Sequence, residues 1–97
     1  MKMPTAYILL NTEIGAENHV LNALKKIDGV EEAHTLWGVY DVIAHVQAES
    51  IDKLKYIITK HVDKVGRINS KLTMIISEKP PAAAREQIFF EPAPIIQ

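Results

Sequence analysis

Hydrophobic and polar residues follow two periods along the chain, and the changes of period predict strands that alternate with helices. Residues 6–11 form an apolar run too short for a helix, which is typical of a strand buried on both faces. Residues 17–27 carry apolar side chains at helical spacing, with polar side chains between them. Asp28 and Gly29 then end the predicted helix.

A hairpin and a second helix follow. Residues 30–36 and 41–46 predict two strands, and the tight connection at 37–39 makes them antiparallel neighbours. Ser50 is a suitable N-cap for the second helix, whose apolar stripe ends near residues 65–66.

The last apolar run completes the predicted order of elements. Residues 72–76 form a fourth strand, which we expect to start around Ile68. Right-handed crossovers then favour a four-stranded antiparallel sheet with both helices on one face. The sequence therefore predicts an α+β fold of the ferredoxin-like βαββαβ type.

Two helices can cover only one face of this sheet, yet the outer elements carry apolar residues on both faces. Tyr7 and Leu9 point away from Ile8 and Leu10, and Ile75 alternates with its neighbours in the last strand. A bare face of this kind is a large apolar patch, which usually marks an interface. We expect a homodimer that forms through the sheet, with Tyr7, Leu9 and Ile75 in the contact.

A change of composition divides the sequence into a domain over residues 1–77 and a C-terminal extension over 78–97. The extension is rich in proline but also holds an apolar group that includes Phe89, and Pro81 can open a short helix over 82–90. We expect this segment to pack on its own chain or on a neighbouring subunit. If it folds back over the free sheet face of its own chain, it covers that face in place of a second copy.

Composition excludes several classes of function. The 97 residues suffice for one small domain, and a formal charge of -1 without a long basic block argues against binding nucleic acid through phosphate contacts. The absence of cysteine removes disulfides, thiolate nucleophiles and cysteine-rich zinc sites. No apolar run approaches the roughly 20 residues that span a bilayer. We expect a cytoplasmic protein without a membrane partner.

The hairpin connection carries the candidate binding chemistry. Gly38 can adopt a positive φ and let a ligand approach its backbone, so that exposed amides hold a carboxylate. Asp41 can accept hydrogen bonds from a ligand ammonium group. Tyr40 can wall the same pocket, and we expect Trp37 at a subunit contact. Alternatively, Gly38 only makes the turn and Asp41 only caps it.

The histidines do not predict a metal site. No two of them have ligand spacing on one helix, and His34 and His45 become neighbours across the hairpin only in some registers. We therefore expect neither a metal nor a cofactor.

The hairpin sequence over 37–46 and the strand over 73–76 resemble the C-terminal effector domain of the Lrp/AsnC family, the regulation of amino-acid metabolism (RAM) domain. The most specific element is Gly-x-Tyr-Asp followed by alternating aliphatic residues, and the similarity extends over about residues 6–77. The resemblance implies dimers that form by facing sheets, assemble into larger rings and hold amino acids at the contacts between dimers. It also implies that Thr73 contacts the ligand, whereas Lys71 replaces a second threonine of the family pattern.

Only residues 1–5 precede the first strand, which leaves no room for the N-terminal helix-turn-helix of full-length family members. The resemblance therefore implies a stand-alone domain that senses an amino acid and acts in transcriptional or metabolic regulation, not an enzyme. Its partner could be a DNA-binding Lrp/AsnC-type regulator.

Two alternatives come from the same order of elements. One is a small dimeric ferredoxin-like enzyme with its substrate in a sheet cavity, although no nucleophile and base stand at a recognisable spacing. The other is an RNA-recognition motif, which needs stacking aromatic residues on its central strands. The first and third predicted strands offer only Tyr7, with Tyr40 at the boundary.

Overall fold

Strands and helices alternate through the part of the chain that the computed structural model describes, residues 3–76. The predicted extension over 78–97 and its helix over 82–90 lie outside the described residues. The elements are β1 (Thr5–Thr12), α1 (Glu17–Lys25), β2 (Val30–Thr35), β3 (Val42–Gln47), α2 (Ile51–Lys60), a 3-10 turn (Val62–Lys64) and β4 (Ile68–Ile76).

All four strands join one antiparallel sheet in the order β2-β3-β1-β4. Non-consecutive strands are neighbours because each helix carries the chain across the strand between them. This order confirms the predicted ferredoxin-like fold, and it places β1 and β3 at the centre. Within residues 3–76, neither helix is long and apolar enough to cross a lipid bilayer.

Strict alternation along the central strands separates the two faces of the sheet. Ala6, Ile8 and Leu10 on β1 are fully buried and pack with helix residues such as Leu24 and Leu54. The residues between them, including Tyr7 and Leu9, are only partly buried. The expectation that β1 is buried on both faces is therefore wrong for the single chain, because the helices cover one face alone.

Local chemistry fixes the ends of the helices. Ser50 is the N-cap of α2, as predicted, and its hydroxyl accepts a hydrogen bond of 3.1 Å from the Lys53 amide. Helix α1 ends at Lys25, two residues before the predicted end at Ile27, and the chain turns into β2 through Gly29. Gly29 has a φ of +105°, which a residue with a side chain rarely adopts.

Candidate ligand-binding and interface site

The connection between β2 and β3 is a wider loop than the predicted tight turn, because both strands stop short and leave residues 36–41 outside the ladder. Its base is closed by a hydrogen bond of 2.8 Å from the Leu36 amide to the Asp41 carbonyl. The Asp41 amide donates in turn to the Leu10 carbonyl of β1 at 2.9 Å. The loop is therefore anchored to the central strand of the sheet.

Asp41 has a structural role that the sequence left as an alternative. Its Oδ2 atom accepts a hydrogen bond of 2.8 Å from the Thr12 amide, and the Thr12 hydroxyl lies 3.5 Å away. This contact holds the last residue of β1. Within residues 3–76, the second carboxylate oxygen, Oδ1, makes no hydrogen bond, so it is available to a donor from outside the chain.

Gly38 does not adopt the positive φ that we expected. The described glycines with positive φ are Gly15 and Gly29, and a Cβ atom added to Gly38 would meet nothing within 4 Å. The expectation assumed a tight turn, which needs a left-handed residue, but the longer loop reverses direction without one. Among the described residues, nothing therefore requires glycine at this position.

The end of the sheet that carries the loop over residues 36–41 is termed the loop end. Its large apolar side chains point into solvent. Trp37 is fully exposed and Val39 is 83% exposed, whereas Tyr40 is partly buried. Ile14 is also fully exposed, in the turn that follows Thr12 and its contact with Asp41. One end of the sheet thus presents an apolar surface beside a carboxylate, and no residue of the described range 3–76 covers Trp37, Val39 or Ile14.

Thr73 lies far from this loop. It faces Ile8 in the sheet register and points to the helix-covered side, where its Oγ1 atom is buried without a hydrogen-bond partner among the described residues. Asp41 is roughly 10 Å away across the strands and a similar distance along them. The structure therefore does not bring Thr73 together with Gly38, Tyr40 and Asp41 in one chain. Lys71, which replaces the second threonine of the family pattern, forms a salt bridge of 2.9 Å from its Nζ atom to Asp63 Oδ1.

The side of the sheet that the helices leave bare is termed the open face. Its apolar half lies on β1 and β4, where register pairs Tyr7 with Met74, Leu9 with Leu72 and Thr5 with Ile76. The three β4 residues are exposed by 43 to 48%. The apolar residues of the open face are Tyr7, Leu9, Ile43, Leu72, Met74 and Ile76.

Ile75 requires a correction. It pairs with Ala6, so its side chain lies on the helix-covered face and not with Tyr7 and Leu9 on the open face. Because side chains alternate along a strand, Met74 and Ile76 take the place that we assigned to Ile75. The error came from the register of β4 against β1, which no local pattern in the sequence encodes.

The other half of the open face carries a polar cluster that the sequence did not predict. Tyr7, Glu32, His34, Ile43 and His45 line a shallow cleft of about 250 Å³. The Tyr7 and His45 rings are stacked with centroids 4.9 Å apart and an interplanar angle of 13°. A hydrogen bond of 2.9 Å joins His34 Nε2 to Glu32 Oε1. This cluster depends on cross-strand pairing, which a one-dimensional pattern does not reveal.

Electrostatics in the cluster favour an ionised carboxylate. The hydrogen bond from His34, its charge and that of His45 hold the pKa of Glu32 below its usual range, against a smaller opposing effect of burial. Register places His45 opposite Glu32 and His34 opposite Ile43, so the two histidines are diagonal neighbours. Among residues 3–76, no group of three histidine or acidic side chains is arranged to hold a metal ion.

A larger cleft of about 410 Å³ lies at the opposite end of the sheet, near the start of α2. Acidic and basic groups both line it, including Asp28, Glu49 and Lys53, and Tyr56 forms part of its wall. The Tyr56 ring meets His61 edge-on at 5.9 Å. None of the residues that the sequence selected for ligand binding lines this cleft.

Comparison with known proteins gives a consistent picture. The model of the Lrp/AsnC ligand binding domain matches residues 5–82. The structure of FFRP-DM1 is 35% identical with a TM-score of 0.72, and the match covers 77% of this chain and 100% of that one. A hypothetical protein from Pyrococcus horikoshii is 34% identical with a TM-score of 0.75, over 79% and 93% of the two chains.

A more distant structure shares the fold alone. It is a transcriptional regulator from Neisseria meningitidis in complex with L-Met, at 10% identity and a TM-score of 0.67, over 80% of this chain and 52% of that one. No curated protein sequence matches the chain significantly.

Proposed function

Because the chain belongs to the Lrp/AsnC ligand-binding domain family, as its hairpin pattern predicted, we propose that it binds a small amino acid at contacts between copies of itself. In this role it acts in transcriptional or metabolic regulation without contacting DNA. The observation that carries the proposal is the loop end, where the Asp41 carboxylate lies beside Trp37 and Val39, which are almost wholly exposed in the single chain.

The loop end combines a carboxylate with exposed apolar side chains, and this combination suits an amino acid. Asp41 is already fixed by Thr12, so its free Oδ1 atom can accept a hydrogen bond from an ammonium group without a cost in ordering the side chain. Trp37, Val39 and Ile14 offer apolar area for a ligand side chain or for a second subunit. A pocket closed by a neighbouring copy would remove both the ligand and these residues from water.

Distances within one chain support a site that several subunits share. Thr73 lies on the edge strand β4, whereas Asp41 lies in the β2–β3 loop, roughly 10 Å away across the sheet. A ligand that contacts both Asp41 and Thr73 must therefore contact these residues in two different copies. Ligand binding would then favour whichever assembly completes the pocket, by simple linkage.

We propose that the basic unit is a homodimer formed through the open face. The spacing and length of the strands give the open face of each copy a projected area of roughly 450 Å². Because protruding side chains add to this area, the total surface buried between two facing copies approaches roughly 1,200 Å², the lower limit for stable interfaces. The exposed Leu72, Met74 and Ile76 supply the apolar core of such a contact.

The same proposal extends to location and partners. We place the protein in the cytoplasm, because a fold without cysteine needs no oxidising compartment. A protein partner would be a DNA-binding regulator of the same family, joined through mixed assembly of related sheet faces. The Neisseria regulator that was solved with L-Met gives a first amino acid to test.

The test measures assembly and ligand binding together. Trp37 is the sole tryptophan, so its emission reports directly on the loop end. Native mass spectrometry with a panel of free amino acids should show ligand mass only on one oligomer, and the Trp37 emission should shift to the blue with the same ligand. Turnover of a panel compound would instead identify a dimeric enzyme with a sheet cavity.

The Asp41→Asn variant makes the test specific to the site. Asparagine keeps an acceptor for the Thr12 amide but loses the negative charge, so we expect ligand affinity to fall roughly 10-fold or more while the fold persists. Glu49→Gln, on the far side of the domain, is the matched control and should bind normally. Equal affinity of the wild type and Asp41→Asn would contradict the assignment of the site.

A further inference from the structure

We propose that His45 makes the pairing of two copies sensitive to pH, so that the pair forms at neutral pH and separates on acidification. This inference rests on the proposed pairing through the open face and assigns a regulatory input to that contact. The polar cluster that carries it is separate from the loop end with Asp41.

His45 occupies the centre of the face that a second copy would cover. It lies on β3, one of the two central strands, opposite Tyr7 on β1 and Glu32 on β2. Its ring already stacks on the Tyr7 ring at 4.9 Å. Among residues 3–76, the His45 side chain forms no hydrogen bond.

The ionisable groups that face His45 are few. Tyr7 lies on one side, and Glu32 and His34 lie on the other. The facing residues of β4 are apolar, namely Leu72, Met74 and Ile76. No described element packs above the open face, so within residues 3–76 these groups define the electrostatic surroundings of His45.

The Glu32 carboxylate favours a charged histidine, but His34 competes with His45 for this carboxylate. The Glu32 carboxylate accepts the bond of 2.9 Å from His34, and both side chains are more than half exposed at the edge strand β2. An exposed pair of this kind is strongly screened by water and salt. Glu32 therefore gives little compensation for the dehydration of a charged ring at the centre of the face.

The direction of the pH effect follows from hydration. A second sheet would remove water from His45, which costs a charged imidazolium far more than a neutral imidazole. Free chains therefore bind more protons than the pair does. Acidification therefore favours the separated chains.

Symmetry sets the size of the effect. A pair with two-fold symmetry contains His45 twice, so up to two protons are taken up when it separates. The dissociation constant should then rise roughly 10- to 100-fold between about pH 7.5 and about pH 5.5. A change this large is readily measured at constant ionic strength.

The experiment is sedimentation velocity on the full chain at both pH values, for the wild type, His45→Gln and His34→Gln. Circular dichroism at both pH values establishes that each protein is folded. We expect the wild type to show the full rise in dissociation constant, His45→Gln to change less than roughly 3-fold, and His34→Gln to retain most of the rise.

Each outcome separates this proposal from the one it rests on. A wild-type pair with constant or tighter association at pH 5.5 overturns the role of protons but leaves the pairing intact. A His45→Gln protein that keeps the full pH dependence overturns the assignment to His45. A wild type that stays monomeric at high concentration at pH 7.5 refutes the pairing itself, and the present proposal with it.

Discussion

Gly29 occupies a position that side chains exclude for two reasons. Its φ of +105° lies outside the regions open to other residues, and an added Cβ atom would stand 2.7 Å from Ile57 Cδ1. Its carbonyl accepts a hydrogen bond from the Gln47 amide, which joins the start of β2 to the end of β3. One residue thus sets both the exit of α1 and the approach of α2.

We therefore expect Gly29→Ala to lower the free energy of unfolding by about 2 kcal/mol, mainly through backbone strain, because the end of the Ile57 side chain can move. Gly38→Ala is the matched control and should change stability by less than about 0.5 kcal/mol, since its φ is not positive and its surroundings are empty. Urea unfolding followed by circular dichroism measures both. Equal losses in the two variants would contradict the argument.

At the scale of the element, strands and helices differ in how they are specified. The strands β1 and β3 show strict alternation of buried and partly buried residues, which follows from the two-residue repeat of a strand with helices on one face. The N-cap of α2, Ser50, accepts a hydrogen bond through its side chain, whereas the N-cap of α1, Ala16, makes no side-chain hydrogen bond. The start of α2 therefore depends on one hydroxyl group.

Removing that hydroxyl group should weaken α2. We expect Ser50→Ala to destabilise the domain by about 1 kcal/mol, because the Lys53 amide loses its acceptor. Ser50→Asp retains an acceptor and adds charge that complements the helix dipole, so its stability should stay close to that of the wild type. Thermal unfolding at neutral pH compares the three proteins, and a Ser50→Asp loss as large as that of Ser50→Ala would refute a capping role.

At the scale of the whole molecule, an asymmetric distribution of helices determines what the protein can do. Both helices pack on one face, so the apolar half of the open face has no partner within residues 3–76. The polar cluster on the other half adds groups whose charge depends on pH. A fold with two unlike halves on one face favours a specific pairing over indiscriminate association.

Alternation along β4 provides a sharp test of this surface. Met74→Glu would place a carboxylate in the apolar half of the proposed contact, and we expect the dissociation constant of the pair to rise at least roughly 100-fold. Ile75→Glu, the adjacent residue with similar exposure but on the other face, should leave pairing nearly unchanged. If sedimentation shows that Ile75→Glu disrupts pairing and Met74→Glu does not, the interface lies elsewhere.

The sequence by itself determined the order of elements, the ferredoxin-like topology, the Ser50 cap and the family, because each depends on local periodicity, a capping residue or a contiguous motif. It also selected Asp41, although the contact with Thr12 required the folded chain.

Only the tertiary structure decided which residues share a surface. The register of β4 moved Ile75 to the helix-covered face, the pairing of β2 with β3 joined Glu32, His34 and His45, and the sheet separated Thr73 from Asp41. The physical reason is that a one-residue shift in strand pairing exchanges the two faces of a sheet. Contacts between residues distant in sequence fix that register, and no local pattern contains them.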